Sequence, residues 1–225
     1  MSTLVVAVDG PSGSGKSSTA RGVADRLGLA YLDTGAMYRA MTWALLQLGT
    51  DLSDPAAIAR DAENVVISSG TDPLAPVIEV DGQDVSGPIR SADVTGNVSL
   101  VAAVPRVREL LVERQRETVE ASPGGIVVEG RDIGSVVMPE APVKVYLVAD
   151  PAARAARRAA ELGAIDATAT QADLARRDEI DSTRAASPLA KAPDAVEIDG
   201  THLTLDQVVD MIVALVHDVT RAGTP

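Results

Sequence analysis

Along most of this chain, short apolar runs alternate with stretches of helical spacing. Leu4 to Val8 is an unbroken apolar run, the pattern of a strand covered on both faces. Helical spacing follows from about Lys16 to Leu27, ended by Gly28, and a short strand at Tyr31-Leu32 leads into Asp33-Thr34-Gly35. A second helix is predicted from about Ala36 to Leu48, ended by Gly49. Between about Asp61 and Asn97 the pattern changes. Val65 to Ser68, Val77 to Val80 and Gln83 to Val85 read as three β-rich pieces, and Asp81-Gly82 between the last two is a hairpin signal. A helix resumes at Val104 and runs to about Ala121, with Pro105 suited to its first turn and Ser122-Pro123-Gly124-Gly125 as its stop. Ile126 to Val128 and Val143 to Val148 are further core strands. Two helical segments from Pro151 to about Arg184, joined by Gly163 to Thr170, are rich in Ala and Arg; a segment this poor in large apolar side chains packs weakly and is a candidate mobile flap. A strand at Ala195 to Ile198 and a helix from about Thr204 to Arg221 close the chain. Alternation of this kind predicts an α/β fold, a mostly parallel central sheet with helices on both faces.

Composition narrows the chemistry. At 225 residues one large α/β domain is expected, with room for small insertions. The core must be filled by Ala, Val, Leu and Ile, since there is no Phe, one Trp and three Tyr. A net charge of -12 disfavours nucleic-acid polymers, so any anionic partner should be small and met by a local cluster of cations. With no Cys, disulfides, thiolate zinc sites and thiol nucleophiles are excluded, and a reducing cytoplasm fits. His202 and His217 are the only histidines, too few for a His-rich metal site; a metal, if used, is a hard ion held by oxygens. No apolar run approaches the ~20 residues of a membrane span, and no cationic segment precedes the first, so a soluble protein without a signal peptide is expected.

Gly10-Pro11-Ser12-Gly13-Ser14-Gly15-Lys16-Ser17 matches the P-loop pattern G-x-x-x-x-G-K-[ST], and it stands between a predicted strand and a predicted helix, as its mechanism requires. The glycines let the chain curl so that backbone N–H groups face phosphate oxygens, and the helix N-terminus adds partial positive charge. Lys16 is expected at the β- and γ-phosphates of ATP or GTP, with Ser18 following in the first helical turn. The Ser17 hydroxyl is the expected Mg²⁺ ligand, with Glu129 as its candidate partner, direct or through water. A guanine-reading N-K-x-D motif is absent: the chain has three lysines, and neither Lys144 nor Lys191 stands in one.

Three further clusters suggest an acceptor that itself bears phosphate. Thr34, Tyr38 and Arg39 fall in one turn and a half at a helix start; Glu129-Gly130-Arg131-Asp132 follows a buried strand, at the carboxyl end where α/β sheets bind ligands; Arg177, Asp181 and Arg184 share one helical face. Each has a structural alternative: Arg39 as a carbonyl cap, Glu129-Arg131 as an ion pair, and the last trio as a solvated salt-bridge face.

Taken in order, Val8 to Lys16, Leu32 to Arg39, Asp84-Val85-Ser86, Pro105-Arg106-Val107-Arg108, Gly130-Arg131-Asp132-Ile133-Gly134 and Arg177-Asp178 through Arg184 resemble the bacterial cytidylate kinases across nearly the whole chain. The resemblance implies a P-loop nucleoside-monophosphate kinase fold: a core of residues 1–60 and 103–225, a monophosphate-binding insert at 61–102, and a helical lid at about 151–181. It implies transfer of a phosphoryl group from ATP to CMP or dCMP. By the same resemblance Ser99, Arg108 and Asp132 line the base, Thr34, Arg39 and Arg131 hold the acceptor phosphate, and Asp181, beside Arg177 and Arg184, meets the sugar. Arg157 and Arg158 close over the transferring phosphate; neighbouring helix positions point about 100° apart, so the two need not engage equally. Arg154, one turn earlier, is left outside the site. Small-molecule substrates and a monomer are expected. Two other readings stand beside this one: a different small-acceptor P-loop kinase acting on UMP, AMP or shikimate, and a nucleotide-gated binding switch.

Overall fold

The computed structural model describes residues 3–162, 167–184 and 187–222. In chain order they form β1 (Val5–Asp9), α1 (Lys16–Leu27), β2 (Ala30–Asp33), α2 (Thr34–Leu48), α3 (Pro55–Ala62), β3 (Ile67–Ser69), β4 (Ile78–Val80), β5 (Gln83–Asp84), α4 (Ala92–Ala102), α5 (Pro105–Glu120), β6 (Ile126–Gly130), β7 (Val143–Val148), α6 (Pro151–Leu162), α7 (Ala167–Thr183), β8 (Val196–Asp199) and α8 (Leu205–Ala222). The main sheet is parallel throughout, in the order β2-β6-β1-β7-β8. The chain leaves β1 toward β2, then crosses from β6 over β1 to β7, so the carboxyl ends of β1 and β6 border the crevice where such sheets bind ligands.

Strand residues alternate between two cores. Val5, Ala7, Leu32, Ile126 and Val128 pack with Met37, Met41 and Leu45 of α2, whereas Val6, Val8, Tyr31 and Val127 pack with Ala20 and Val23 of α1 and Ile212 of α8. Full burial of both faces of β1 and β6 explains why these strands read as continuous apolar runs.

The three β-rich pieces form a separate antiparallel sheet, β3-β4-β5. Its hairpin turn has Asp81 at φ 50° and Gly82 at φ 79°, the doubly positive backbone for which Asp-Gly is the preferred pair. Two helices depart from the sequence expectation. In α3, Asp54 caps Ala56 N and Pro55 opens the first turn, a local start signal for a helix of only eight residues. In α4, Thr95, Gly96, Asn97 and several Val residues give poor intrinsic propensity; the Ser91 cap and burial of Val94, Val98 and Val101 override it. The insert shares its core with α2, since Ile67, Ile78, Val80 and Ile89 belong to the cluster holding Met41 and Leu45. Of the expected joint at 163–170, residues 163–166 lie outside the described ones, and residues 167–170 are helical.

Candidate active site

β1 ends where the P-loop begins. Gly10 sits at φ 149°, and a Cβ there would stand 2.1 Å from the Leu147 carbonyl oxygen, so only glycine lets the chain turn out of the sheet beside β7. Lys16 opens α1, and its Nζ donates to Pro11 O at 2.8 Å. Burial pushes the Lys16 ammonium well below its usual basicity; Arg131 pushes the same way, and Glu129 opposes.

Ser17 Oγ donates to Glu129 Oε2 at 2.9 Å, and Tyr31 Oη donates to Glu129 Oε1. Glu129 is 3% exposed at the end of β6; burial chiefly, then the Asp33 charge, raises its pKa, and Lys16 opposes the rise. Among the described residues no three acidic or imidazole groups converge into a metal cage. The oxygens of Ser17 and Glu129 fit a hard ion that takes most of its ligands from phosphate and water, as Mg²⁺ does.

A cavity of about 420 Å³ joins the P-loop to a cluster of cations. From the P-loop and α1, Ser12, Gly13 and Gly15 to Ser18 reach its wall; Gly10, Pro11 and Ser14 do not. From α2 come Thr34, Tyr38 and Arg39. Thr34 Oγ1 donates to Glu129 O at 2.7 Å, and Arg39 Nη1 donates to Thr95 Oγ1 at 2.9 Å. Arg131, Arg158 and Arg177 converge on the same space. Burial lowers the Arg39 pKa to about 9, and the next causes are the charges of Arg177 and Arg158. Arg177 is lowered to about 10 by burial and then by Arg131. Guanidiniums gathered this closely repel one another, an arrangement suited to anions.

Deeper in the cavity, Arg108 and Asp132 pair with each side chain near 5% exposed. The Arg108 guanidinium lies 5.4 Å from the centre of the Tyr38 ring. Arg184 Nη2 stands 3.6 Å from Asp132, and its Nη1 stands 3.8 Å from Asp181, to which Ser99 Oγ also donates at 3.4 Å. Arg131 bridges the two ends, donating to Gly10 O at 2.6 Å with its Nε 3.1 Å from Asp181 Oδ2.

Of the adjacent pair on α6, only Arg158 reaches the cavity wall. Arg157 turns aside, donating to Ser14 O at 3.1 Å and Gly200 O at 2.5 Å. Four residues of this neighbourhood make contacts that the sequence does not assign, among them Arg154, which the sequence reading leaves outside the site. Tyr31 orients Glu129. Asp9 accepts from Ile133 N and Gly134 N, both at 2.8 Å, and so holds the loop that carries Arg131 and Asp132; burial raises its pKa to about 6. Arg154 and Asp178 grip the P-loop itself. Only Asp9, the last residue before the P-loop, had a local signal.

The profile of the cytidylate kinase family matches residues 6–218. A cytidylate kinase of Streptomyces griseus subsp. griseus is 57% identical over 215 residues, with 96% of this chain and 93% of that protein covered. The chain belongs to the cytidylate kinase family. A cytidylate kinase of Nocardia farcinica is 52% identical over 225 residues, with 98% and 97% covered. Among solved structures, an uncharacterized protein from Eubacterium ventriosum aligns at TM-score 0.53 and 13% identity over 96% of this chain and 99% of that one, a likeness of fold alone. Cytidylate kinase membership leaves the other small-acceptor kinases and the binding switch without support. No described helix is long and apolar enough to cross a membrane.

Proposed function

We propose that this cytidylate kinase family member transfers the γ-phosphoryl group of ATP to CMP or dCMP, giving ADP and CDP or dCDP. The observation that carries this reading is one cavity with a P-loop at one end, a buried Arg108–Asp132 pair at the other, and converging arginines between. Backbone N–H groups and Lys16 would take the donor phosphates; Thr34, Arg39 and Arg131 would take the acceptor phosphate, held bidentately by guanidinium forks. Ser17, with Glu129 direct or through water, would hold Mg²⁺, whose charge neutralises the β- and γ-oxygens. Arg158 faces the space where the transferring group would pass. The attacking acceptor oxygen is already anionic, so positioning and charge neutralisation suffice without a general base. Asp181 and Arg184, with Arg177 alongside, suit the sugar hydroxyls; a carboxylate accepts from one hydroxyl or two, compatible with both ribose and deoxyribose.

Residues 61–102 serve in this reading as the monophosphate-binding insert and residues 151–181 as a lid that closes to exclude water. The protein works in the cytoplasm as a monomer. A coupled assay with ATP and CMP, dCMP, UMP, AMP and shikimate tests the proposal: turnover with CMP and dCMP well above the rest is expected, and preference for any other acceptor overturns it.

Base choice yields a second prediction. Cytosine presents an amine donor beside two acceptors, which Asp132 complements as acceptor and Arg108 and Ser99 as donors. Uracil puts a carbonyl against the carboxylate. Asp132→Asn can turn either amide atom to the base, so the CMP to UMP ratio of kcat/KM should fall by about tenfold, in line with one mismatched buried polar contact. KM for ATP should hold; an unchanged ratio would mean that the base is read elsewhere.

A further inference from the structure

The P-loop is also gripped from behind. Ser12 N donates to Asp178 Oδ1 at 3.0 Å, Arg154 Nη1 donates to Ser12 O at 2.9 Å, and Arg154 pairs directly with Asp178. Both backbone polar groups of one P-loop residue therefore end on a single ion pair that bridges α6 and α7. The two side chains are 12% and 17% exposed, so water offers the loop little competition. Helix α6 sits close: a Cβ at Gly13 would lie 3.0 Å from Arg154 O and 3.3 Å from Arg154 Cβ. One turn along, Arg157 takes Ser14 O. Alternate carbonyls of the loop are thus held by successive arginines of one helix.

Two observations separate this grip from a carboxylate lodged where phosphate belongs. Neither Asp178 nor Arg154 lines the cavity, although Arg158 of α6 and Arg177 and Asp181 of α7 do. Moreover, Lys16 Nζ bonds to Pro11 O rather than to Asp178. Asp178 therefore acts on the loop without entering the cavity lining, although its charge still reaches Lys16.

A phosphate cradle made of backbone N–H groups binds well only if those groups are held in position before the ligand arrives. The stretch Gly13-Ser14-Gly15, with both glycines at positive φ, has little stiffness of its own. We propose that Arg154 and Asp178 are positioning residues of the donor site: their ion pair fixes the Ser12 backbone, and through it the phosphate-binding turn. The same helix α7 carries Arg177 and Asp181 into the acceptor end, on side chains other than the one that holds Ser12. This inference rests on the P-loop being the ATP site.

The test compares Asp178→Ala, Asp178→Asn and Arg154→Lys in the full chain, using calorimetric titration with the β,γ-imido analogue of ATP and, separately, with CMP. Losing a charge-assisted bond to the loop should weaken the analogue about tenfold in Asp178→Ala, whereas CMP binding alone should stay within about twofold. Asp178→Asn keeps an acceptor for Ser12 N and should lose less, and KM for ATP should follow the analogue. Arg154→Lys retains charge without the fork and should also weaken the analogue selectively. Should Asp178→Ala fail to fold, Asp178→Asn and Arg154→Lys decide. Unchanged analogue affinity, tighter analogue binding, or equal loss for both ligands would overturn the proposal. A wild-type chain that binds CMP but not the analogue would overturn the donor-site reading itself.

Discussion

Lys16→Ala is expected to cut turnover by 10²-fold or more, the order seen when one preorganised charge donor is removed from a transition state, with no loss of thermal stability. The two halves of this expectation share a cause. The ammonium is buried, its hydrogen bond runs to Pro11 O of its own loop, and burial together with Arg131 depresses its pKa from 10.5. In the folded protein burial therefore disfavours that charge, and the nearby Glu129, Asp178 and Asp9 offset part of the penalty. Because the folded lysine binds protons less readily than the unfolded one, its unfavourable contribution is complete below the folded pKa and fades as pH rises toward 10.5. The variant should match or exceed wild-type melting temperature at neutral pH, and any gain should shrink in alkaline buffer. Turnover measured with saturating ATP and CMP, beside thermal unfolding from neutral to alkaline pH, checks both parts. Turnover within a few-fold of wild type would remove Lys16 from the chemistry.

How much of this could be read from the chain depends on the range of the forces involved. Strands buried on both faces and helices closed by Gly28 and Gly49 announce themselves locally, because burial and backbone geometry act over a few residues. Helix α4 did not, since its stability comes from packing on α2 rather than from propensity. The P-loop was legible for the same local reason. The acceptor end was legible only through family resemblance: nothing in the spacing of Arg108 and Asp132 says that they meet as a buried pair. Contacts farther apart left no trace. Ser12 and Asp178 are 166 residues apart, and Tyr31 and Glu129 are 98 apart. The adjacent arginines at 157 and 158 show the complementary failure, where identical side chains one position apart point to different duties.

Charge makes the same point on a larger scale. A chain of net charge -12 repels anions on average, yet its crevice gathers Arg39, Arg131, Arg158 and Arg177. Total charge disfavours a polymeric nucleic acid; the local cluster of cations suits small phosphates. Within that crevice Arg131 holds the most exacting place. It touches the P-loop at Gly10 O and α7 at Asp181, and its charge lowers the basicity of both Lys16 and Arg177. In the proposed reaction a guanidinium so placed would stand between the donor and acceptor phosphates, where charge on the transferring group must be neutralised as bonds change. Arg131→Ala should therefore lower kcat by about 10²-fold or more and, because the same guanidinium would hold the acceptor phosphate, raise KM for CMP as well, while KM for ATP changes much less. The fold should survive, because Asp181 keeps Ser99 and Arg184 beside it. Arg131→Lys should recover part of the loss, since a lysine restores charge without the two-pronged contact. Steady-state kinetics of both variants against ATP and CMP provide the check: a rise confined to the KM for CMP would make Arg131 a holder of the acceptor alone, and near-normal kcat would take it out of the transfer step.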